Sequence, residues 1–546
     1  MEILRGQGVS GGVARGPLWF YGHSRERAQA RRGCDPARER ERLEKARRQA
    51  ALALEELARR ARERAGEEGG ALFETHALLL EDEDFIGAMD RLAGEGYSAE
   101  YAAEQAGEEL AALLEAMEDP YMRERCADVR DVAGRLRDLL AGAGEEALPE
   151  GPVVLCAQDL APSQTLRLDR DKILAIATRG GSGSSHTAIL ARAMGIPAVC
   201  GLGEGLCQTL QGREAWVLGE EGQVILDAAG EQLERLKARL EEQTRRRELL
   251  RELAGREDVT LDGRRLSICC NIGAPEEVEA VLSSGGGGIG LFRSEFLYLA
   301  SRDWPTEEEQ YEAYRKVARA MGGRRVVVRT LDIGADKGVD YFPLAREENP
   351  ALGLRGVRVS LSRPEVFRTQ LRALYRASAW GKIAIMFPMI TSLWEVEECR
   401  QLCAQVMDQL EEEGVPFNRE TEVGIMVETP AAVLMAPELA QKADFFSVGT
   451  NDLTQYTLAC DRQNSGLGRF FDPRHPAVLR SVELAARAAH EAGIWIGICG
   501  ELGADPELLP AFLAMGIHEV SVSPPAVLPL RAALRKIGAD GRAQEG

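Results

Sequence analysis

Two places in this 546-residue sequence gather side chains with chemistry to offer. The first is a set of short segments in the C-terminal half, each an apolar run that ends in polar or charged residues. They are Gly290-Leu291-Phe292-Arg293-Ser294-Glu295-Phe296, Arg329-Thr330-Leu331-Asp332, Glu428-Thr429-Pro430, Gly449-Thr450-Asn451-Asp452-Leu453 and Cys499-Gly500-Glu501. Two guanidinium groups on one rim suit a phosphate or a carboxylate, which they bind bidentately. Glu428 and Asp452 add two hard oxygen ligands, suited to a magnesium ion that keeps substrate oxygens in its shell. For any one of these residues a structural ion pair is the alternative; agreement among five segments favours a site.

The second place is Gly181-Ser182-Gly183-Ser184-Ser185-His186-Thr187-Ala188-Ile189-Leu190-Ala191-Arg192, a Gly/Ser loop that runs into an apolar-periodic helix. A helix N-terminus offers free N–H donors and the positive end of a dipole, which would stabilise a phosphate carried on His186. Imidazole is a competent nucleophile near neutral pH. The alternative is a capping or hydrogen-bonded polar histidine. The remaining histidines (His23, His76, His475, His490 and His518) lack such a setting and read as structural, with His76 in a helical block that could meet a partner.

These residues need elements to position them. The apolar runs 266–270, 288–291, 326–329, 383–387, 423–427, 445–448, 495–498 and 519–522 are eight strand-like segments, most followed by an amphipathic helix. Eight βα units predict a (β/α)8 barrel, in which reactive residues fall just after the strands. Upstream, strand-like runs at 153–155, 173–176, 198–199 and 224–226 predict an α/β domain around the His186 loop, with the Gly-rich stretch 3–20 as small strands and turns. Residues 36–140 are dense in Ala, Leu, Glu and Arg, strong helix formers, and predict a helical hairpin or bundle. A charged helix at 231–253 reads as a solvated connector.

Length and composition agree with several domains in one chain. Hydrophobic residues make up 45% and charged residues 28%, with a net charge of -20. That balance argues against nucleic acid as a standing partner. No run of about 18 apolar residues indicates a membrane span, and Met1 to Gly6 does not begin a signal peptide. The eleven cysteines follow no disulfide or zinc spacing, so reduced thiols and a cytoplasmic location are expected.

The motifs resemble enzyme I of the bacterial sugar phosphotransferase system, within the phosphoenolpyruvate-utilising enzymes. Besides the segments above, the likeness is carried by Phe73-Glu74-Thr75-His76-Ala77-Leu78-Leu79-Leu80-Glu81-Asp82, Ala116-Met117-Glu118-Asp119-Pro120-Tyr121, Ala127-Asp128-Val129-Arg130-Asp131-Val132 and Asp332-Ile333-Gly334-Ala335-Asp336-Lys337. The resemblance implies a swivelling phosphohistidine α/β domain from 1–20 and 145–228, with a helical carrier-binding subdomain inserted at 21–144. A helical linker at 229–255 and a phosphoenolpyruvate-binding, dimerising barrel at 256–540 follow.

It further implies that His186 takes the phosphoryl group from phosphoenolpyruvate and passes it to a small histidine-containing phosphocarrier protein, HPr. Arg293, Arg329 and Arg462 would hold the substrate with Asn451, and Lys337 and Arg355 would add positive charge. Glu428 and Asp452 become magnesium ligands, and Cys499 the acid that protonates the enolate carbon. The chain departs from the family's Gly-Gly-Arg-Thr-Ser-His loop at Ser182, Gly183 and Ser184, and has Ala161 where a Thr is common. Loss of the loop arginine removes a local positive charge. Two other readings fit the same residues: a paralogue serving a dedicated carrier, and a phosphoenolpyruvate-sensing protein that phosphorylates poorly.

Overall fold

The computed structural model describes residues 2–21, 28, 30–116, 125–141, 151–158, 160, 172–181, 187–188, 191–192, 195–299, 301, 303–334, 341–342, 347–462, 464 and 467–538, with backbone alone at 55–57, 59–74, 127 and 247. The chain forms two compact units, Met1–Arg247 and Glu248–Gly546.

The first unit holds an eight-stranded sheet in the order β1-β8-β7-β3-β4-β5-β6-β2. Its strands are β1 (Glu2–Arg5), β2 (Gln7–Ser10), β3 (Val13–Phe20), β4 (Val153–Ala157), β5 (Ile173–Thr178), β6 (Ala198–Cys200), β7 (Glu214–Leu218) and β8 (Gln223–Leu226). Strands β3 to β6 pair in parallel, and the remaining pairs are antiparallel. Strands β4 and β5 are almost wholly apolar and buried, as expected of parallel strands covered on both faces.

Between β3 and β4 lie the helices α1 (Pro36–Leu79), α2 (Glu83–Gly94), α3 (Ala99–Glu115) and α4 (Cys126–Leu140). Asp35 caps α1 by accepting from the Ala37 N–H at 3.0 Å, and Pro36 sits where its missing N–H costs nothing. The helices meet through small residues: a Cβ on Gly107 of α3 would lie 2.3 Å from that of Ala133 on α4. Alanines 99, 102, 103 and 106 line the same seam, with Phe85, Met89 and Leu136 filling the space between helices.

Helix α5 (Gly230–Arg251) carries the charges that suggest a solvated rod, yet its first half has an apolar edge. Leu236, with Leu233 and Leu240, packs on Val13, Trp216 and Ile225 of the sheet. The Gln243 side chain accepts from the Val13 N–H at 2.7 Å and donates to the Val13 carbonyl at 3.1 Å. Three leucines among so many charged residues are too few to show as a pattern, but their spacing puts them on one face.

The second unit is a closed barrel of parallel strands, β9 (Ser267–Ile272), β10 (Ile289–Arg293), β11 (Val326–Arg329), β12 (Ile383–Phe387), β13 (Glu422–Val427), β14 (Phe445–Val448), β15 (Trp495–Ile498) and β16 (Glu519–Val522). Every expected strand is present within two residues of its predicted limits, and β16 closes on β9. Three surrounding helices matter below: α6 (Glu307–Ala320), α7 (Pro364–Ser378) and α8 (Thr450–Leu458).

The N-terminal end of the barrel is plugged. The Phe445 and Trp495 rings stack with centroids 4.4 Å apart, and the Arg325 guanidinium lies 3.9 Å from the Trp495 ring centre. Arg325 faces Glu422 at 3.6 Å and the buried Glu519 at 4.0 Å, and the Trp495 indole donates to Glu422 at 3.1 Å. Burial raises the Glu519 pKa above the ordinary carboxyl value, and Arg325 works against that rise. Replacing Arg325 by Leu strands these carboxylates. The expected loss is about 3 kcal/mol of barrel stability, read by calorimetry as a lower melting temperature; an unchanged melting temperature would show the plug to be dispensable.

Candidate active site

The other end of the barrel carries the chemistry. Strand β10 terminates in Arg293 and β11 in Arg329, Glu428 follows β13, and Cys499 follows β15. Helix α8, directly after β14, places Asn451 and Asp452 in its first turn. These side chains line one cavity of about 630 Å³ together with Glu295, Asp332, Arg355, Tyr456, Cys460 and Arg462. All of the expected barrel residues except Lys337 therefore share one wall-lined space. Lys337 and His186 lie outside the described residues. Near the latter, Thr187 and Ala188 are helical and buried, and the Thr187 hydroxyl accepts from the Leu160 N–H at 3.1 Å.

Arg329 is only 7% exposed. It pairs with Glu295 and, at 3.0 Å, with Asp332. Burial opposes its charge, but Glu295, Asp332, Glu428 and Asp452 outweigh that and hold its pKa above the usual arginine value. Arg355 grips the same Asp332 through both carboxylate oxygens, at 3.2 and 3.0 Å, and lies 3.6 Å from Asp452. Arg462 is more open and sits 3.9 Å from Asp452. One aspartate thus separates two cations that would otherwise repel across the pocket.

Glu428 is 1% exposed. Its Oε1 accepts from the Met389 N–H at 2.7 Å, while Oε2 is buried with no protein hydrogen-bond donor. Met389 adopts φ 58°, a left-handed conformation unusual for a residue with a side chain, and it aims its N–H at the carboxylate. Burial and the nearby Asp452 and Asp332 raise the Glu428 pKa. Asp452 Oδ1 is likewise buried without a hydrogen bond. Two carboxylates with such oxygens in one pocket offer a hard donor set that fits magnesium.

Cys499 is buried, its sulfur 3.6 Å from the Val448 carbonyl oxygen. Burial pushes its thiol up to about 11, so it carries its proton at neutral pH. The turn after it is crowded: a Cβ on Gly500 would lie 2.0 Å from the Thr450 hydroxyl oxygen. Asn451 spans that turn, accepting from the Glu501 N–H at 3.1 Å. The contact ties the end of β15 to the start of α8.

Sequence reasoning did not assign roles to Glu295, Met389 or Tyr456. Glu295 stands two residues after Arg293, a visible signal. Met389 carried none, since only its backbone acts. Tyr456 connects Arg355, 3.4 Å from its hydroxyl, to the carbonyl of Ala351, to which it donates. His76 is wholly enclosed between α1 and α4, with ring nitrogens 3.3 Å from Asp128 and 3.7 Å from Asp131. His475 caps the helix Pro476–Ala492, its Nδ1 accepting from the Ala477 N–H at 3.1 Å.

Three family models cover most of the chain. Residues 247–539 match the phosphoenolpyruvate-binding domain of phosphoenolpyruvate-utilising enzymes, 5–125 their N-terminal domain and 149–228 their mobile domain. The phosphoenolpyruvate-protein phosphotransferase of Geobacillus stearothermophilus is 40% identical over 100% of this chain and 94% of its own length. The Bacillus subtilis protein of that name is 36% identical over 98% of this chain and 95% of its own. The chain belongs to the phosphoenolpyruvate-protein phosphotransferase family. Among solved structures, an Enzyme I protein studied in solution aligns with 44% of this chain and 99% of its own at 31% identity, with a TM-score of 0.38. The barrel whose rim carries these arginines and carboxylates lies within residues 247–539, the span that matches the phosphoenolpyruvate-binding domain.

Two outcomes follow from this geometry. Gly500→Ala forces Thr450 and Asn451 aside and should cost about 2 kcal/mol of stability, measured by urea unfolding. Cys499, protonated below about 11, should alkylate far more slowly at pH 7 than the partly exposed Cys34 and Cys207, and faster as pH rises; peptide-resolved mass spectrometry with iodoacetamide checks this, and equal rates at pH 7 would contradict it.

Proposed function

We propose that the chain transfers the phosphoryl group of phosphoenolpyruvate to its own His186, and from there to a histidine of a small phosphocarrier protein of the HPr type. Pyruvate is released, and the transfer is the first step of sugar uptake by a cytoplasmic phosphotransferase system. What carries the proposal is the pocket in which Arg329, Arg355 and Arg462 stand around Glu428 and Asp452, with a protonated thiol beside them.

In this proposal Arg293, Arg329 and Arg462 hold the phosphate and carboxylate of the substrate with Asn451, and Arg355 and Lys337 add positive charge. Glu428 and Asp452 would hold a magnesium ion, which supplies charge neutralisation at the phosphate when bound. Among the described residues no group of three or more His, Cys, Asp or Glu forms a self-sufficient metal cage. Two carboxylates suit an ion that keeps water and substrate oxygens in its shell. An imidazole nitrogen of His186 attacks phosphorus as the bond to the enolate oxygen breaks, with the arginines stabilising the charge that accumulates. The enolate carbon then takes the Cys499 proton to give pyruvate, and solvent restores the thiol.

In this proposal the domain that carries His186 swings between the barrel and the carrier protein. We assign the swivelling domain to 1–20 and 145–228, carrier docking to 21–144, the linker to 229–255, and substrate binding with homodimerisation to 256–540. His76, having no exposed surface, is unsuited to exchanging phosphate with a carrier.

Incubating the full chain with magnesium and labelled phosphoenolpyruvate should place acid-labile label on the protein. His186→Ala should abolish it, and chelation of magnesium should reduce it severely. No label on the unmodified protein would overturn the proposed activity; label persisting in His186→Ala would overturn the acceptor. Label that forms but does not pass to an added carrier would overturn the second transfer.

A further inference from the structure

Gln370 lies on α7, wholly buried and outside the cavity lining, yet it is bonded to both of the turns that carry the pocket arginines. Its Oε1 accepts from the Leu331 N–H at 2.9 Å, midway between Arg329 and Asp332. Its Nε2 donates to the Ser294 hydroxyl at 3.0 Å, between Arg293 and Glu295, and to the Tyr314 hydroxyl at 3.1 Å. Ser294 in turn donates to the Arg329 carbonyl. On the far side Tyr314 donates to Gln310 of α6 at 3.3 Å, and Gln310 donates to the Pro305 carbonyl at 3.0 Å.

The position of this network matters because the sheet gives out there. The last paired residues of β10 and β11 are Arg293 and Arg329. Beyond them no ladder joins the two strand ends, and the Ser294, Gln370 and Leu331 bonds take its place. A buried amide costs free energy unless all its groups are paired, and an aliphatic side chain would fill the same volume without that demand. Space filling alone therefore does not account for glutamine. We propose that Gln370 is a positioning residue, which fixes the spacing of Arg293 and Arg329 for phosphoenolpyruvate without touching it; this rests on the substrate role proposed above for those arginines.

The test is single-turnover labelling of the full-length protein across a range of phosphoenolpyruvate concentrations, with magnesium present. The variants are Gln370→Leu, Ser294→Ala and Tyr314→Phe, with Arg329→Ala as the control. Gln370→Leu should raise the half-saturating concentration about tenfold, since small misplacements of binding groups are costly. Tyr314→Phe should raise it less, and Ser294→Ala should add less on top of Gln370→Leu than it does alone. A merely structural role would lower the melting temperature and leave half-saturation of the folded protein unmoved.

Half-saturation within about twofold of the parent in all three folded variants overturns the clamp, provided that Arg329→Ala raises it. A fall in maximal rate without a change in half-saturation also overturns it. If Arg329→Ala itself changes nothing, the substrate role of the arginines fails instead, and the clamp with it. Should Gln370→Leu not fold, Ser294→Ala and Tyr314→Phe decide by the same criterion.

Discussion

A guanidinium buried to 7% exposure at the rim of the barrel, Arg329, sets the terms for much of the second unit. Removing such a charge from water costs several kcal/mol unless partners surround it. Glu295 and Asp332 provide that surrounding, and Asp332 is shared with Arg355. The result is an alternating array of charges in which each group is neutralised by neighbours rather than by solvent. An array of that kind holds its geometry, because moving one member leaves another exposed to a like charge. It is the kind of preorganised electrostatic surface that phosphoryl transfer uses.

The array would be unstable without its supports. Met389 accepts a left-handed backbone and thereby gives Glu428 a hydrogen bond from the main chain. Gly500 leaves room for Thr450, so that the strand carrying Cys499 can lie against the helix carrying Asn451 and Asp452. Behind the arginines, the Gln370 network links two strand ends to two helices. At the opposite end, Arg325 closes the barrel over Trp495 and sets its charge beside Glu422 and Glu519. One cationic residue type therefore serves two ends in different ways: open to a cavity at one, stacked on an aromatic ring at the other.

How far the site was legible depends on what each residue uses to act. Arg293, Arg329, Glu428, Asp452 and Cys499 follow apolar runs, and a barrel must put such positions on one rim, so the strand pattern sufficed to group them. Glu295 and Asp332 were visible beside them but had no assigned task, since an ion pair is a matter of direction and distance. Met389 acts through its backbone, which no side-chain pattern reports. Helix α5 has the solvated charged face expected of it, and the three leucines that anchor it to the sheet were too few among those charges to show as a pattern.

By itself the sequence determined the eight barrel strands, the helical block, the α/β domain and the family, because apolar periodicity and motif order are local properties written along the chain. Tertiary structure alone decided that Asp332 would sit between two arginines, that one oxygen each of Glu428 and Asp452 would be left buried without a hydrogen bond, and that Gln370 would reach both strand ends. These contacts join residues far apart in the chain, and their strength depends on how deeply closure of the barrel buries them. Charge and hydrogen bonding are weak in water and strong in a dry interior, so only the packed fold could assign them their weight.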